Sequence, residues 1–76
     1  MKEILVKINS TTDIKEFVEL TNMCEGNVTV YSGRYVVDGK SVMGIFSLDL
    51  STPTKVEIEG TIPDRVKAGM KKFIVE

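Results

Sequence analysis

The chain of 76 residues contains no histidine and no tryptophan, one cysteine and two prolines. Without histidine it cannot form a phosphohistidine, and it lacks the commonest general base and metal ligand. A lone thiol, Cys24, excludes an internal disulfide. With no imidazole to join it, it also makes a zinc site improbable on composition alone. A reducing compartment suits such a chain. Charge of one sign is missing as well: ten basic and eleven acidic residues leave a net charge of −1. The signs are interspersed, which argues against a nucleic-acid or anionic-membrane partner. No apolar run approaches the roughly 20 residues of a membrane span, and the first residues lack the apolar core of a secretion signal. These features lead to the expectation of a cytoplasmic protein.

What is present is ordinary for a globular chain: 42% apolar and 28% charged residues. The length allows at most one domain, taken here as residues 1–76, and leaves little room for a deep catalytic cavity. Met1 to Ile8 alternates, with Ile4, Val6 and Ile8 on one side, and is expected to be a strand. Asn9–Thr12 is a polar loop. Thr12 or Asp13 is a candidate helix cap, and Asp13 with Glu16 has capping-box spacing. Ile14, Phe17, Val18, Thr21 and Cys24 recur at three and four, the period of one helical face. Gly26 is placed to end that helix.

Val28 and Val30 alternate with Thr29 and Tyr31 in a second strand. A turn at Ser32–Arg34 leads to a return strand over Tyr35–Val37. Tyr31 and Tyr35 are expected to pair across this hairpin. After Asp38-Gly39, Ser41 is a natural N-cap for a short helix carrying Val42, Met43, Ile45, Phe46, Leu48 and Leu50. These side chains cannot all face inward, so at least one large apolar group should be exposed as a contact patch. Lys55–Glu59 alternates as a fourth strand. Pro63 and Asp64 suit the first turn of a last helix whose buried stripe is Val66, Met70, Phe73 and Ile74. The order is β-α-β-β-α-β-α, an α+β class with a four-stranded antiparallel sheet and three helices on one face.

The segment Lys40-Ser41-Val42-Met43-Gly44-Ile45-Phe46-Ser47-Leu48 resembles the Lys-Ser-Ile-Met-Gly-x-x-Ser-Leu motif of Gram-positive HPr proteins. These are the histidine-containing phosphocarriers of the phosphoenolpyruvate:sugar phosphotransferase system. The motif falls at the matching place in the element order, and the turn at Tyr31–Arg34 is similar too. The resemblance implies an HPr-like open-faced β-sandwich over essentially the whole chain. It also implies that Ser41 corresponds to the serine which an ATP-dependent kinase phosphorylates. Lys40, Val42, Met43 and Phe46 would then belong to the partner-binding surface. Implied partners are proteins: the serine kinase, a transcriptional regulator or phosphotransferase-system components.

The departure lies after the first strand. There the family carries Gly-x-His-Ala-Arg-Pro-Ala, whose histidine takes the phosphoryl group. This chain has Asn9-Ser10-Thr11-Thr12-Asp13-Ile14-Lys15. Ser10, Thr11 and Thr12 form a degenerate version of that loop. Their hydroxyls are poor nucleophiles without an adjacent base, and Asp13 would repel a phosphoryl donor. Histidine transfer is therefore expected to be lost. No catalytic residue, cofactor or metal is expected, and the chain is read as a regulatory or adaptor protein rather than an enzyme. The catabolite-repression paralogue of HPr has the same logic, without the histidine and with the serine. Two alternatives stand beside this reading: a docking domain of a larger complex that is never phosphorylated, or a carrier using a hydroxyl or Asp13 as acceptor. Ser41 can equally be only a helix cap, and Cys24 only a small core hydrophobe.

Overall fold

The computed structural model describes residues 2–75. Seven elements follow in the expected order: β1 (Lys2–Val6), α1 (Thr11–Thr21), β2 (Val28–Ser32), β3 (Tyr35–Asp38), α2 (Val42–Phe46), β4 (Thr54–Ile58) and α3 (Asp64–Met70). The four strands form one antiparallel sheet in the order β1-β4-β2-β3. Alternation decides which side chains meet the helices. Val6, Val28, Val30, Val56 and Ile58 point inward and are buried against Ile14, Phe17 and Val18 of α1, Ile45 of α2, and Val66 and Met70 of α3. Phe17 and Phe73 meet edge to face in this core, with ring centroids 6.1 Å apart. The other face of the sheet carries Glu3, Leu5, Tyr31, Lys55 and Glu57, and no helix of the described residues covers it.

Several local expectations need correction. The first strand ends at Val6, though Ile8 is still buried; its proposed first residue, Met1, lies outside the described residues. The cap of α1 is Ser10 rather than Thr12 or Asp13. Its hydroxyl accepts the Asp13 N–H at 3.1 Å, and the Asp13 carboxylate accepts the Asn9 N–H at 3.1 Å. Asp13 thus takes the partner position of the capping box and its carboxylate bonds the residue before the cap, while Glu16 instead pairs with Lys72. The helix ends at Thr21 with Asn22 as its cap, so Cys24 is buried from a following turn rather than from the helix. Gly26 does not end it. A Cβ there would collide with the Glu59 carbonyl oxygen, so close backbone approach explains that glycine.

The hairpin register sets Tyr31 opposite Val36, and Ser32 opposite Tyr35. Tyr31 and Tyr35 therefore point to opposite faces and do not pair. Gly33 has φ 59, while its loop partner Arg34 has no positive φ, the pattern of a type II′ turn. The fourth strand is one residue earlier than its alternation suggested. The last helix stops at Met70; Phe73 is buried beyond it, whereas Ile74 is partly exposed and bridges to Val6. Lys7 N–H donates to the Phe73 carbonyl at 2.8 Å, and Val75 N–H donates to Leu5 at 2.9 Å. These bonds cover the outer edge of β1, which would otherwise present unpaired backbone groups.

Candidate functional site

The Ser41 side chain is positioned by its own backbone and by the end of α1. Ser41 is extended, with φ −108 and ψ 118, and its hydroxyl accepts the Gly44 N–H at 3.1 Å, as an N-cap should. The two residues before it are tied to the end of α1 and the turn that follows it by three bonds. The Thr21 hydroxyl donates to the Gly39 carbonyl at 2.7 Å, the Asn22 amide donates to the Lys40 carbonyl at 3.3 Å, and Lys40 Nζ donates to the Cys24 carbonyl at 2.9 Å. Lys40 is therefore adjacent to Ser41 in sequence, but its ammonium is directed at a carbonyl of the turn that follows α1. Asp38 accepts the Lys40 N–H at 2.9 Å and adds a carboxylate to the same turn.

Helix α2 divides its apolar residues sharply. Ile45 is fully buried, whereas Val42, Met43 and Phe46 are 38%, 76% and 56% exposed. The expected exposure of a large apolar group is thus present, and it extends over three side chains. Gly44 keeps the helix close to β3, because a Cβ there would meet the Val37 Cβ at 3.3 Å. Leu48 lies past the helix end yet is buried, and Leu50 is half-buried.

The loop and the patch, far apart in sequence, meet in space. Ser10, Thr11 and Phe46 line one open cavity of about 390 Å³, together with Lys7 and Leu48. Thr12 and Val42 line a second, of about 750 Å³, with Lys15 and Met23. The neighbouring residues Thr11 and Thr12 at the start of α1 therefore line two hollows, each of which reaches α2. Lys7, Lys15 and Met23 are members that the sequence reading did not single out. Met23 follows the helix and is exposed, so no periodicity marks it. Lys7 is turned to this side by its bonds to the Leu50 carbonyl at 2.9 Å and Asn9 Oδ1 at 3.2 Å.

The chemistry available there is limited. The Ser10 hydroxyl is engaged as a cap, and the Asp13 carboxylate is engaged with the Asn9 N–H. Among the described residues no carboxylate hydrogen-bonds the Ser10, Thr11 or Thr12 hydroxyl, so none has the adjacent base that a nucleophilic hydroxyl needs. The Asp49 carboxyl is held below its ordinary range by the Ser51 hydroxyl and then by the Ser51 N–H, with Lys7 adding to the effect. This pair closes the loop after α2. Burial pushes the Cys24 thiol up, against a smaller opposing effect of Lys40, so it is not a poised nucleophile. No group of three or more candidate metal ligands occurs among the described residues. None of their helices is long and apolar enough to cross a membrane.

The family model described as the PTS HPr component phosphorylation site matches residues 11–74, most of the chain. The chain belongs to the HPr family. Among solved structures, this HPr-family chain is similar to HPr-C-His from Thermoanaerobacter tengcongensis, at 24% identity and a TM-score of 0.77. That alignment covers 95% of this chain and 89% of the other. It is also similar to the phosphocarrier protein HPr from Bacillus anthracis str. Ames, at 17% identity and a TM-score of 0.74, covering 97% and 96%. At these identities the likeness establishes the shared open-sheet fold. No curated protein matches the sequence significantly. The family match begins at Thr11, the first residue of α1, and includes the whole Lys40–Leu48 segment.

Proposed function

We propose that this HPr-family chain is a regulatory or adaptor protein of a bacterial cytoplasm, and that it binds partner proteins through the surface around α2. Phosphohistidine transfer is absent, and Ser41 is the switch. The observation that carries the reading is a juxtaposition. Ser41 begins the same short helix that exposes Val42, Met43 and Phe46, in a chain with no histidine at all. A phosphoryl group on Ser41 would add close to two negative charges directly beside an apolar contact surface. Its oxygens could accept from the backbone N–H groups of the first turn, where the hydroxyl already accepts from Gly44. A partner docking on the apolar surface would meet a changed charge at its rim, which alters partner choice as well as affinity.

One observation favours a second reading. The Lys40 ammonium is held by the Cys24 carbonyl, and Asp38 lies in the same turn, so the cation next to Ser41 in sequence is already engaged. A docking domain that is never phosphorylated would show this arrangement. The two readings separate on incubation with the HPr serine kinase and ATP, followed by intact-mass measurement. The switch requires one added phosphoryl group, absent in Ser41→Ala, and a large shift of the Gly44 amide resonance. An unchanged mass would leave the docking-domain reading.

A further inference from the structure

On the side of the fold away from α2, the edge of the sheet and α3 enclose a cleft of about 250 Å³. Its floor is apolar: Ile58 and Met70 are buried there, Ile4 and Ile62 are half-buried, and Ile74 stands at the mouth. The remaining lining residues are Lys2, Lys67 and Lys71, all cationic and all exposed. Lys67 and Lys71 are four apart at the end of α3 and so share one side. Lys2 comes from β1, next to Ile58 in the ladder. Among the described residues no carboxylate lines the cleft, and none of these ammonium groups is ion-paired or hydrogen-bonded to protein. The clustering is not a consequence of composition, because the chain as a whole carries a charge of −1. The nearest acid on the same helix, Asp64, lies one turn before Lys67 and outside the cleft; Glu3 points to the opposite face of the sheet.

We propose that this cleft binds a small amphipathic anion, an alkyl carboxylate whose chain occupies the isoleucine floor and whose head meets Lys67, Lys71 and Lys2. Shape and charge argue together. A concave apolar floor takes up a compact hydrocarbon body, and the lysine stems extend its walls while their charged ends stay in water. A cation of equal size would meet three like charges and, among the described residues, no carboxylate. The volume suits one short chain, and it is too small for a folded segment of a macromolecule. The cleft is separate from the surface around α2, so it offers a second, independently occupied site.

The probe is octanoate below its aggregation range, titrated into the full chain and followed by isoleucine methyl and amide resonances. Octyltrimethylammonium serves as the matched cation. Saturable shifts confined to Ile4, Ile62 and Ile74 and their neighbours are expected with octanoate alone. Lys67→Gln and Lys71→Gln, both at exposed positions, should each weaken binding about fivefold without altering the spectrum of the free protein. Shifts that fail to saturate, that appear equally with the cation, that centre on α2, or that survive both substitutions unchanged would each overturn the proposal, as would no shift at all.

Discussion

Thr21 and Gly39 join the end of α1 to the loop before Ser41: the fully buried Thr21 hydroxyl donates to the Gly39 carbonyl at 2.7 Å, a shorter contact than its 3.0 Å approach to Val18. Thr21 continues the apolar face of the helix, but its hydroxyl is a tether. Thr21→Val keeps the shape and removes the donor, leaving a buried carbonyl without that partner. The expected cost is about 1–3 kcal/mol in chemical denaturation. Faster amide exchange at Ser41 should accompany it, and unchanged exchange there would mean that the bond does not hold the loop.

Thr54 presents the opposite case. Its hydroxyl is buried at the start of β4 and has no hydrogen-bond partner among the described residues. Removing a polar group that has already lost its water costs nothing in bonding and restores an apolar contact. Thr54→Val should therefore raise stability by about 1 kcal/mol. A loss of stability would show that the hydroxyl is satisfied in solution.

On the open sheet face, Tyr31 and Glu57 govern a pH dependence. The Tyr31 hydroxyl donates to Glu57 Oε1 at 2.7 Å. That bond is the main reason the Tyr31 hydroxyl is pushed up and the Glu57 carboxyl is held down. Glu57 has the lower value when folded, so its contribution is complete above the unfolded glutamate value of about 4.3 and is lost as pH falls through the folded value. Tyr31 has the higher value when folded, so its contribution is complete below about 10 and is lost as pH rises through the folded value. Denaturation midpoints against pH should thus fall at both ends, and Tyr31→Phe should flatten both. An unaltered profile in Tyr31→Phe would exclude the pair as the cause.

Within α2, neighbouring residues should respond in opposite ways. Ile45→Ala removes a fully buried side chain and should cost about 2–5 kcal/mol. Met43→Ser changes a side chain that is mostly in water and should stay within about 0.5 kcal/mol of the parent. If Met43 belongs to a partner surface, its loss should appear in binding and hardly at all in the melting curve. A large stability loss in Met43→Ser would instead make it a packing residue.

The element order, the inward faces of β1, β2 and β4 and the buried face of α1 were legible from alternation and from the spacing of Ile14, Phe17 and Val18. Local choices among equivalent chemistries were not. Ser10, Thr12 and Asp13 are all good caps, and only the path of the chain out of β1 decides for Ser10. Phe73 and Ile74 fit a helical stripe, yet the backbone gains more by leaving α3 and bonding the edge of β1. Tyr31 and Tyr35 flank the turn symmetrically, but a two-residue loop fixes the register that separates them. At the candidate site, Ser41 and the exposure of Met43 and Phe46 could be read locally. The meeting of Ser10 and Thr11 with Phe46, and the diversion of Lys40 to Cys24, depend on tertiary contacts that no spacing encodes.

The most direct measurement is intact-protein mass after two parallel incubations, one with the general phosphotransferase enzyme and phosphoenolpyruvate, the other with the HPr serine kinase and ATP. The expected result is a phosphoryl group acquired from ATP alone and lost in Ser41→Ala. A phosphoryl group acquired from phosphoenolpyruvate would contradict the loss of carrier chemistry, and would direct attention back to Ser10, Thr11, Thr12 and Asp13 as acceptors.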